Sequence, residues 1–258
     1  MSAYTLITGA SKGIGKAFAI EAARRGHNLI LVARDADQLN TLAKEIGTTH
    51  KVRVHTYAQD LTRPDAPKGL ANFCQRHHYT VDTLINNAGI GLWGKFDDLD
   101  LAAQINSVQI NVTAVVALTH AMLPLLKTHK KSYVLNVAST AAFFPTPYFS
   151  VYAAAKAFVL SFSGAIRREL KPDKVIVSCL CPGPTESDFV KAAKMESFRF
   201  NRKEFFMSAD RVAKAGLDGL KKGKSVIIPG ATNQISAYLG ASLPTGLMAR
   251  VAARIYKP

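Results

Sequence analysis

Tyr4-Thr5-Leu6-Ile7-Thr8-Gly9-Ala10-Ser11-Lys12-Gly13-Ile14-Gly15, close to the start of the chain, sets the architecture of the whole protein. Its first half is apolar and rich in β-branched residues, the composition of a strand. Its second half is a turn spaced by Gly9, Gly13 and Gly15, after which a helix begins. Those glycines let the backbone turn tightly and approach a ligand. The N–H groups at the helix start have no partner within the helix and form a ready anion site. A pyrophosphate is the natural occupant. The spacing G-x-x-x-G-x-G departs from the G-x-G-x-x-G of the general dinucleotide fingerprint, and an ordinary strand-to-helix turn is the competing reading.

Outward from this unit, apolar segments alternate with longer amphipathic ones to the end of the chain. The pattern predicts strands near 4–8, 28–33, 51–57, 82–87, 132–138, 174–180 and 225–229, and helices near 13–25, 36–46, 64–77, 101–127, 151–170 and 209–222. Repeated βαβ units of this kind imply an α/β protein: a doubly wound, Rossmann-like parallel sheet of about seven strands with helices on both faces. Gly26 and Gly47 are placed to end helices in the left-handed conformation, and Asp35 to cap the second helix. With no repeat or linker, residues 1–258 read as a single domain.

Composition narrows the classes. The 258 residues are 48% hydrophobic and 20% charged, a globular balance. No apolar run is read as long enough to cross a bilayer, and the N-terminus enters the first strand without a signal peptide. Cys74, Cys179 and Cys181 make neither a disulfide framework nor a metal-ligand spacing. A cytoplasmic protein without metal is expected. The net charge of +15 comes from Lys and Arg scattered along the chain, with no nucleic-acid recognition motif. The one concentration is Lys191, Lys194, Arg199, Arg202 and Lys203 against Glu196.

The predicted second strand ends at Ala33-Arg34. An acidic residue there would bind the ribose hydroxyl of NAD, whereas an arginine accommodates the 2′-phosphate of NADP. With Lys12 in the glycine turn and Asp35 taken as a helix cap, NADP(H) is preferred over NAD(H). Asp60-Leu61 follows the third strand, and Asn86-Asn87-Ala88-Gly89 closes the fourth. The two asparagines are equally readable as structural. Asn111 sits mid-helix among apolar residues, where an amide must find a partner. The fifth strand delivers Ser139 to the sheet edge where ligands bind in open parallel sheets.

Tyr152 and Lys156 lie four apart in an alanine-rich helical run, so both side chains share one face. Bringing a phenol of pKa about 10 into use near neutrality takes a shift of roughly 3 units, or about 4 kcal/mol. A positive charge about 4 Å away at an effective dielectric near 20 supplies that order of energy. The spacing permits acid–base chemistry, though such pairs also arise by chance.

Taken together, Thr8-Gly9-x-x-x-Gly13-x-Gly15, Asp60-Leu61, Asn86-Asn87-Ala88-Gly89, Asn111, Ser139, Tyr152-x-x-x-Lys156 and Pro182-Gly183 resemble the short-chain dehydrogenase/reductase superfamily over nearly the whole chain. The resemblance implies that Tyr152 exchanges a proton with the substrate oxygen. Lys156 lowers the tyrosine pKa and binds the nicotinamide ribose, Ser139 hydrogen-bonds the carbonyl, and Asn111 holds a water linked to Lys156. It implies a cofactor cradle of Gly9, Ser11, Lys12, Gly13, Ile14, Gly15, Arg34, Asp60, Leu61, Asn87, Ala88, Gly89, Tyr152, Lys156, Pro182, Gly183, Thr185 and Ser187. Ser187 stands where the family often has threonine.

By position, the substrate end falls to 91–93, 141–148 and the loop 186–206, with Trp93, Phe143, Tyr148 and Phe189 as candidate lining. Phe144, Phe149, Phe198, Phe205 and Phe206 add to an aromatic content that favours a hydrophobic ketone or aldehyde. The expected activity is hydride transfer between NADP(H) and a carbonyl or alcohol. A 3-oxoacyl-thioester reductase and a non-catalytic NADP(H)-binding regulator are the alternatives. In such proteins subunits often pair through the two long helices, here 101–127 and 151–170, giving a homodimer or homotetramer. In the tail 231–258, Leu243, Leu247, Val251 and Ile255 recur every four residues beside Arg250, Arg254 and Lys257. That stripe is expected to pack on its own protein or a neighbouring subunit rather than on a membrane surface.

Overall fold

The structure, a computed structural model, describes residues 3–193, 195 and 206–258. Seven strands form one parallel sheet in the order β3-β2-β1-β4-β5-β6-β9. They are β1 Tyr4–Thr8, β2 Asn28–Ala33, β3 Val54–Ala58, β4 Val81–Asn86, β5 Ser132–Val137, β6 Val175–Leu180 and β9 Val226–Ile227. Two short strands, β7 Thr185–Glu186 and β8 Met207–Ser208, pair with each other beyond the sheet edge. The helices are α1 Gly13–Arg24, α2 Ala36–His50, α3 Ala66–Arg76, α4 Leu101–Val108, α5 Ala114–Leu126, α6 Ser150–Glu169, α7 Phe189–Ala192, α8 Ala209–Lys221, α9 Ala231–Ser242 and α10 Thr245–Tyr256.

Alternation along each strand builds two cores, because neighbouring side chains face opposite sides of the sheet. Ile7, Leu29, Leu31, Ile85 and Leu135 meet Phe18 of α1, Leu39 of α2 and Val212 of α8. Leu6, Ile30, Val32, Leu84 and Val134 meet Leu70 of α3 and Leu118 and Met122 of α5 on the other side. Both faces are covered, so the strands read as continuous apolar runs. Sheet order reverses direction between β1 and β4, and the chain ends on either side of that reversal leave a crevice at the C-terminal edge.

Several boundaries differ from expectation. Gly47 does not end α2: the helix runs on to His50, and Lys51 takes the left-handed position at φ 56°. Residues 51–53 are thereby excluded from the third strand. Gly26 is left-handed as expected, and Asp35 caps α2 by accepting from the Gln38 N–H at 3.0 Å. The predicted helix 101–127 is continuous but contains a π-helical turn, Gln109–Thr113, between α4 and α5. Residues Leu101–Leu126 are also long and apolar enough to cross a membrane, contrary to the composition reading. Their buried face, Val115, Leu118, Thr119, Met122 and Leu126, supplies core against the sheet.

In the tail, Leu243, Leu247 and Val251 are about half covered by the protein, with 42%, 48% and 42% left exposed, and Ile255 is covered further.

Candidate active site

A cleft of about 690 Å³ runs along the C-terminal sheet edge, within the size range of small-molecule sites. Its lining includes Gly9, Ser11, Lys12, Gly13, Ile14, Arg34, Asp60, Leu61, Asn87, Ala88, Gly89, Ser139, Tyr152, Lys156, Pro182, Gly183, Thr185 and Ser187. Gly15 lies behind the lining: a Cβ there would collide with the Gly9 carbonyl oxygen, so this glycine lets α1 seat against the turn. Gly9 itself has φ 63°, which glycine adopts without strain.

Thr8 and Asn87 pin the turn to β4. The Thr8 hydroxyl oxygen accepts from the backbone N–H groups of Asn87 and Ala88, both at 3.0 Å. The Asn87 side chain donates back to the Thr8 carbonyl at 2.9 Å. Asn86 points elsewhere, donating to Thr119 at 3.0 Å and to Asn136 at 2.8 Å. Asn136 in turn donates to Ser163 at 2.9 Å. The two asparagines that the sequence left ambiguous therefore divide the work: Asn87 shapes the cleft, while Asn86 ties β4 to β5 and α5.

Whether these residues fit a dinucleotide can be tested on the fold. The N-terminus of α1 has no side-chain cap, as is also true of α3, α6, α9 and α10; what sets α1 apart is that Gly9, Ser11, Lys12 and Gly13 at its start line the cleft. Its N–H groups open on the glycine turn, as an anion requires. At the far end, Arg34 follows β2, and the Asp35 carboxylate is occupied as a helix cap. The donor set fits a dinucleotide.

The catalytic candidates converge from three elements. Ser139 follows β5, and Tyr152 and Lys156 occupy the first turns of α6. Lys156 Nζ donates to the Val137 carbonyl at 2.9 Å and lies 5.6 Å from the Tyr152 ring centroid. Asn111 sits in the π turn, fully buried, behind the cleft wall. Its Nδ2 donates to the carbonyls of Ile90 at 2.7 Å and Ser107 at 2.9 Å. Its Oδ1 is buried without a partner among the described residues. A Cβ added to Gly89 would lie 2.5 Å from that Oδ1 and 3.2 Å from Lys156 Nζ. Gly89 thus keeps open a space between the two, and a buried amide oxygen facing it is the natural acceptor for a water.

Electrostatics differ from the expectation that Lys156 draws the tyrosine down. Burial pushes the Tyr152 phenol well above its usual value, with the Ser139 hydroxyl pulling the other way and Tyr256 and Cys181 adding to the rise. Burial also lowers Lys156 to about 8, opposed by Cys179 and Cys181. The physical cause is common to both: each charged form loses water in a site walled by aromatic rings. A phenol held neutral is a proton donor, and a lysine near 8 is still largely ammonium at neutrality.

Of the four side chains expected at the substrate end, only Phe189 lines the cleft. Trp93 is buried and donates its Nε1–H to the Tyr256 carbonyl at 2.7 Å. Phe143 turns away toward Tyr238 of α9, ring centroids 6.3 Å apart. Tyr148 adopts φ 63° and its carbonyl accepts from Gly94 N–H at 2.9 Å, a turn role. The lining also includes Phe149, Val190, Met195, Phe206 and Tyr256, with Thr140 and Asp188 as polar members. Phe149 stacks on Tyr152 at 4.4 Å, and Phe189 flanks it at 5.2 Å. Tyr256 and Met195 were not singled out from the sequence. A signal existed for Tyr256, an aromatic on the tail helix opposite the Leu247 and Val251 stripe. Lys194, Glu196, Phe198, Arg199, Arg202, Lys203 and Phe205 lie outside the described residues, as does the Lys191 side chain.

A glycine turn that faces a buried tyrosine and lysine across one sheet edge marks a nucleotide-binding, Rossmann-like fold. Residues 3–197 match the family model for short chain dehydrogenases, and the chain belongs to that family. It is 32% identical over 207 residues to a very-long-chain 3-oxoacyl-CoA reductase of Danio rerio, the match covering 76% of this chain and 60% of that protein. It is 37% identical over 191 residues to sulfoacetaldehyde reductase 2 of Chromohalobacter salexigens, covering 73% and 75%. The chain thus spans only about 60% of the length of the first of these relatives. Among solved structures it is similar to a short-chain dehydrogenase from Sphingobium yanoikuyae in complex with NADPH, at 33% identity and TM-score 0.82, covering 95% of this chain and 94% of that one.

Proposed function

We propose that the protein reduces the carbonyl of an apolar ketone or aldehyde with NADPH, the reverse being oxidation of the alcohol. The observation that carries this reading is the buried Tyr152 phenol on the cleft wall, flanked by Phe149 and Phe189. When bound, the dinucleotide supplies the hydride. The chain's own residues do the rest. The α1 N-terminus with Gly9, Ser11, Lys12, Gly13 and Ile14 would hold the pyrophosphate, and Arg34 with Lys12 would take the 2′-phosphate. Asp60 and Leu61 would serve the adenine, and Asn87 to Gly89 the ribose. Pro182, Gly183, Thr185 and Ser187 would serve the nicotinamide end. The Tyr152 hydroxyl gives its proton to the carbonyl oxygen as the carbonyl carbon becomes the carbinol carbon. Ser139 orients that oxygen and supports the charge developing on it. Asn111 and a water at its Oδ1 return a proton through Lys156.

The NADP reading rests on Arg34 and on Asp35 being engaged as a cap; the Sphingobium relative was solved with NADPH. The apolar substrate rests on Phe149, Phe189, Met195, Phe206 and Tyr256. A 3-oxoacyl thioester remains the second reading, favoured by the Danio relative's activity. We also infer self-association through α4 and α6, and a cytoplasmic enzyme.

Cofactor oxidation over a panel of ketones and aldehydes separates an enzyme from a binding protein. The deciding variant is Tyr152→Phe. Loss of the general acid should lower turnover by roughly a hundred- to ten-thousandfold, with NADPH binding, read by cofactor fluorescence, unchanged within about twofold. Turnover that survives the substitution removes the mechanism.

A further inference from the structure

The two C-terminal helices, α9 and α10, present six large apolar side chains to solvent: Ile235, Tyr238, Leu239, Leu243, Leu247 and Val251, each between 42% and 59% exposed. Scattered surface leucines need no explanation, but a run along two successive helices does. The helical turn explains the arrangement on α10. Leu247 and Val251 lie on the outward face, with exposed Arg250 and Arg254 beside them at the same helical spacing. Ala252, on the opposite face, is buried, and Tyr256 reaches the cleft. Residues 231–258 contain Arg250, Arg254 and Lys257 and no Asp or Glu. The exposed apolar side chains of this segment are therefore accompanied by positive charge only.

We propose that this face docks on an anionic lipid surface. Its charge pattern decides between lipid and a second copy of the chain. Two-fold self-pairing would gather two sets of Arg250 and Arg254 at one interface, with no carboxylate in residues 231–258 to offset them. A bilayer rich in anionic headgroups accepts both parts at once: apolar side chains enter the headgroup boundary while the guanidiniums stay at phosphate level. The other apolar face, Leu101, Ile105 and Val108 on α4, carries no charge between Leu101 and Val108 and suits self-pairing instead. Because α10 also contributes Tyr256 to the cleft, the docking element and the cleft wall are one helix.

The test needs no turnover, so its outcome is independent of the catalytic reading. Full-length protein is sedimented with phosphatidylcholine vesicles, with and without phosphatidylglycerol, at low and high salt. Binding is expected only with phosphatidylglycerol, and high salt should release it. Arg250→Gln with Arg254→Gln should weaken partitioning by roughly fivefold per residue. Leu239→Gln with Leu247→Gln should abolish it, while unfolding temperatures stay at the wild-type value. Wild-type protein left in the supernatant overturns the proposal, as does equal binding to neutral vesicles. So does a sedimentation-velocity shift to a smaller species on Leu239→Gln with Leu247→Gln, which would make the face a contact between copies.

Discussion

Lys156 and Tyr152 are buried in one site, and burial drives their titrations in opposite directions. For Lys156 the folded-state value of about 8 lies below the unfolded value near 10.5. The folded chain therefore binds this proton less tightly, and holding the ammonium costs folding free energy in full below pH 8. The cost fades as pH rises from 8 to 10.5, an interval equivalent to about 3 kcal/mol. Comparing Lys156→Met with wild type by denaturant unfolding should show the difference moving toward wild type by about that amount between pH 7 and pH 10. A pH-independent difference would place the lysine in water. In the reductive direction, kcat/KM should fall as pH rises through about 8, because the ammonium is lost. Arg34→Ala tests the cofactor reading: KM for NADPH should rise roughly ten- to a hundredfold, the loss of charge-assisted bonds to a phosphate, with KM for NADH unchanged. At this scale the sequence was informative where chemistry depends on local spacing, as in Tyr152 and Lys156. It could not supply the direction of the phenol's shift, which is set by rings such as Phe149 and Phe189 that arrive from distant segments.

Elements were legible for a related reason. A strand buried on both faces is an apolar run whatever its neighbours, so the sheet could be written from the chain alone. Helix ends depend on single residues: Gly47 continues α2, and Lys51 terminates it. The π turn at Gln109–Thr113 has no composition of its own. It inserts a residue where Asn111 must reach Ile90 and Ser107, and such bulges cluster at functional sites. Trp93, Phe143 and Tyr148 were misplaced because aromatic content says nothing of which way a loop turns. Between elements, the buried chain Thr119–Asn86–Asn136–Ser163 joins α5, β4, β5 and α6. Asn136→Leu leaves one Asn86 N–H without its acceptor, while Asn86 keeps Thr119 and Ser163 keeps the Val159 carbonyl, and should lower stability by about 1–3 kcal/mol. Asn86→Leu combined with it should cost less than the sum of the two single changes, measured by a double-mutant cycle. Strict additivity would mean the amides act separately.

Over the whole molecule, basic charge and exposed apolar surface do not coincide everywhere. Leu101, Ile105 and Val108 recur at helical spacing on α4, and Phe158 of α6 is exposed and stacks on Phe162 at 5.8 Å. Neither the chain's +15 charge nor its sequence periodicity singles out this face, because Leu101–Leu126 is apolar almost all round and only the folded sheet shows which side remains open. An uncharged apolar face can meet its own copy about a two-fold axis without like-charge contact, and burying it removes roughly 25 cal/mol for each Å² taken from water. Placing carboxylates there reverses both terms. Ile105→Glu with Phe158→Glu should convert a dimer or tetramer into a species of the 27.9 kDa monomer mass in sedimentation equilibrium. Neither residue lines the cleft, so the unfolding temperature extrapolated to low protein concentration should stay close to that of wild type. A wild-type protein that already sediments as a monomer would leave this face without a partner and the self-association reading without support.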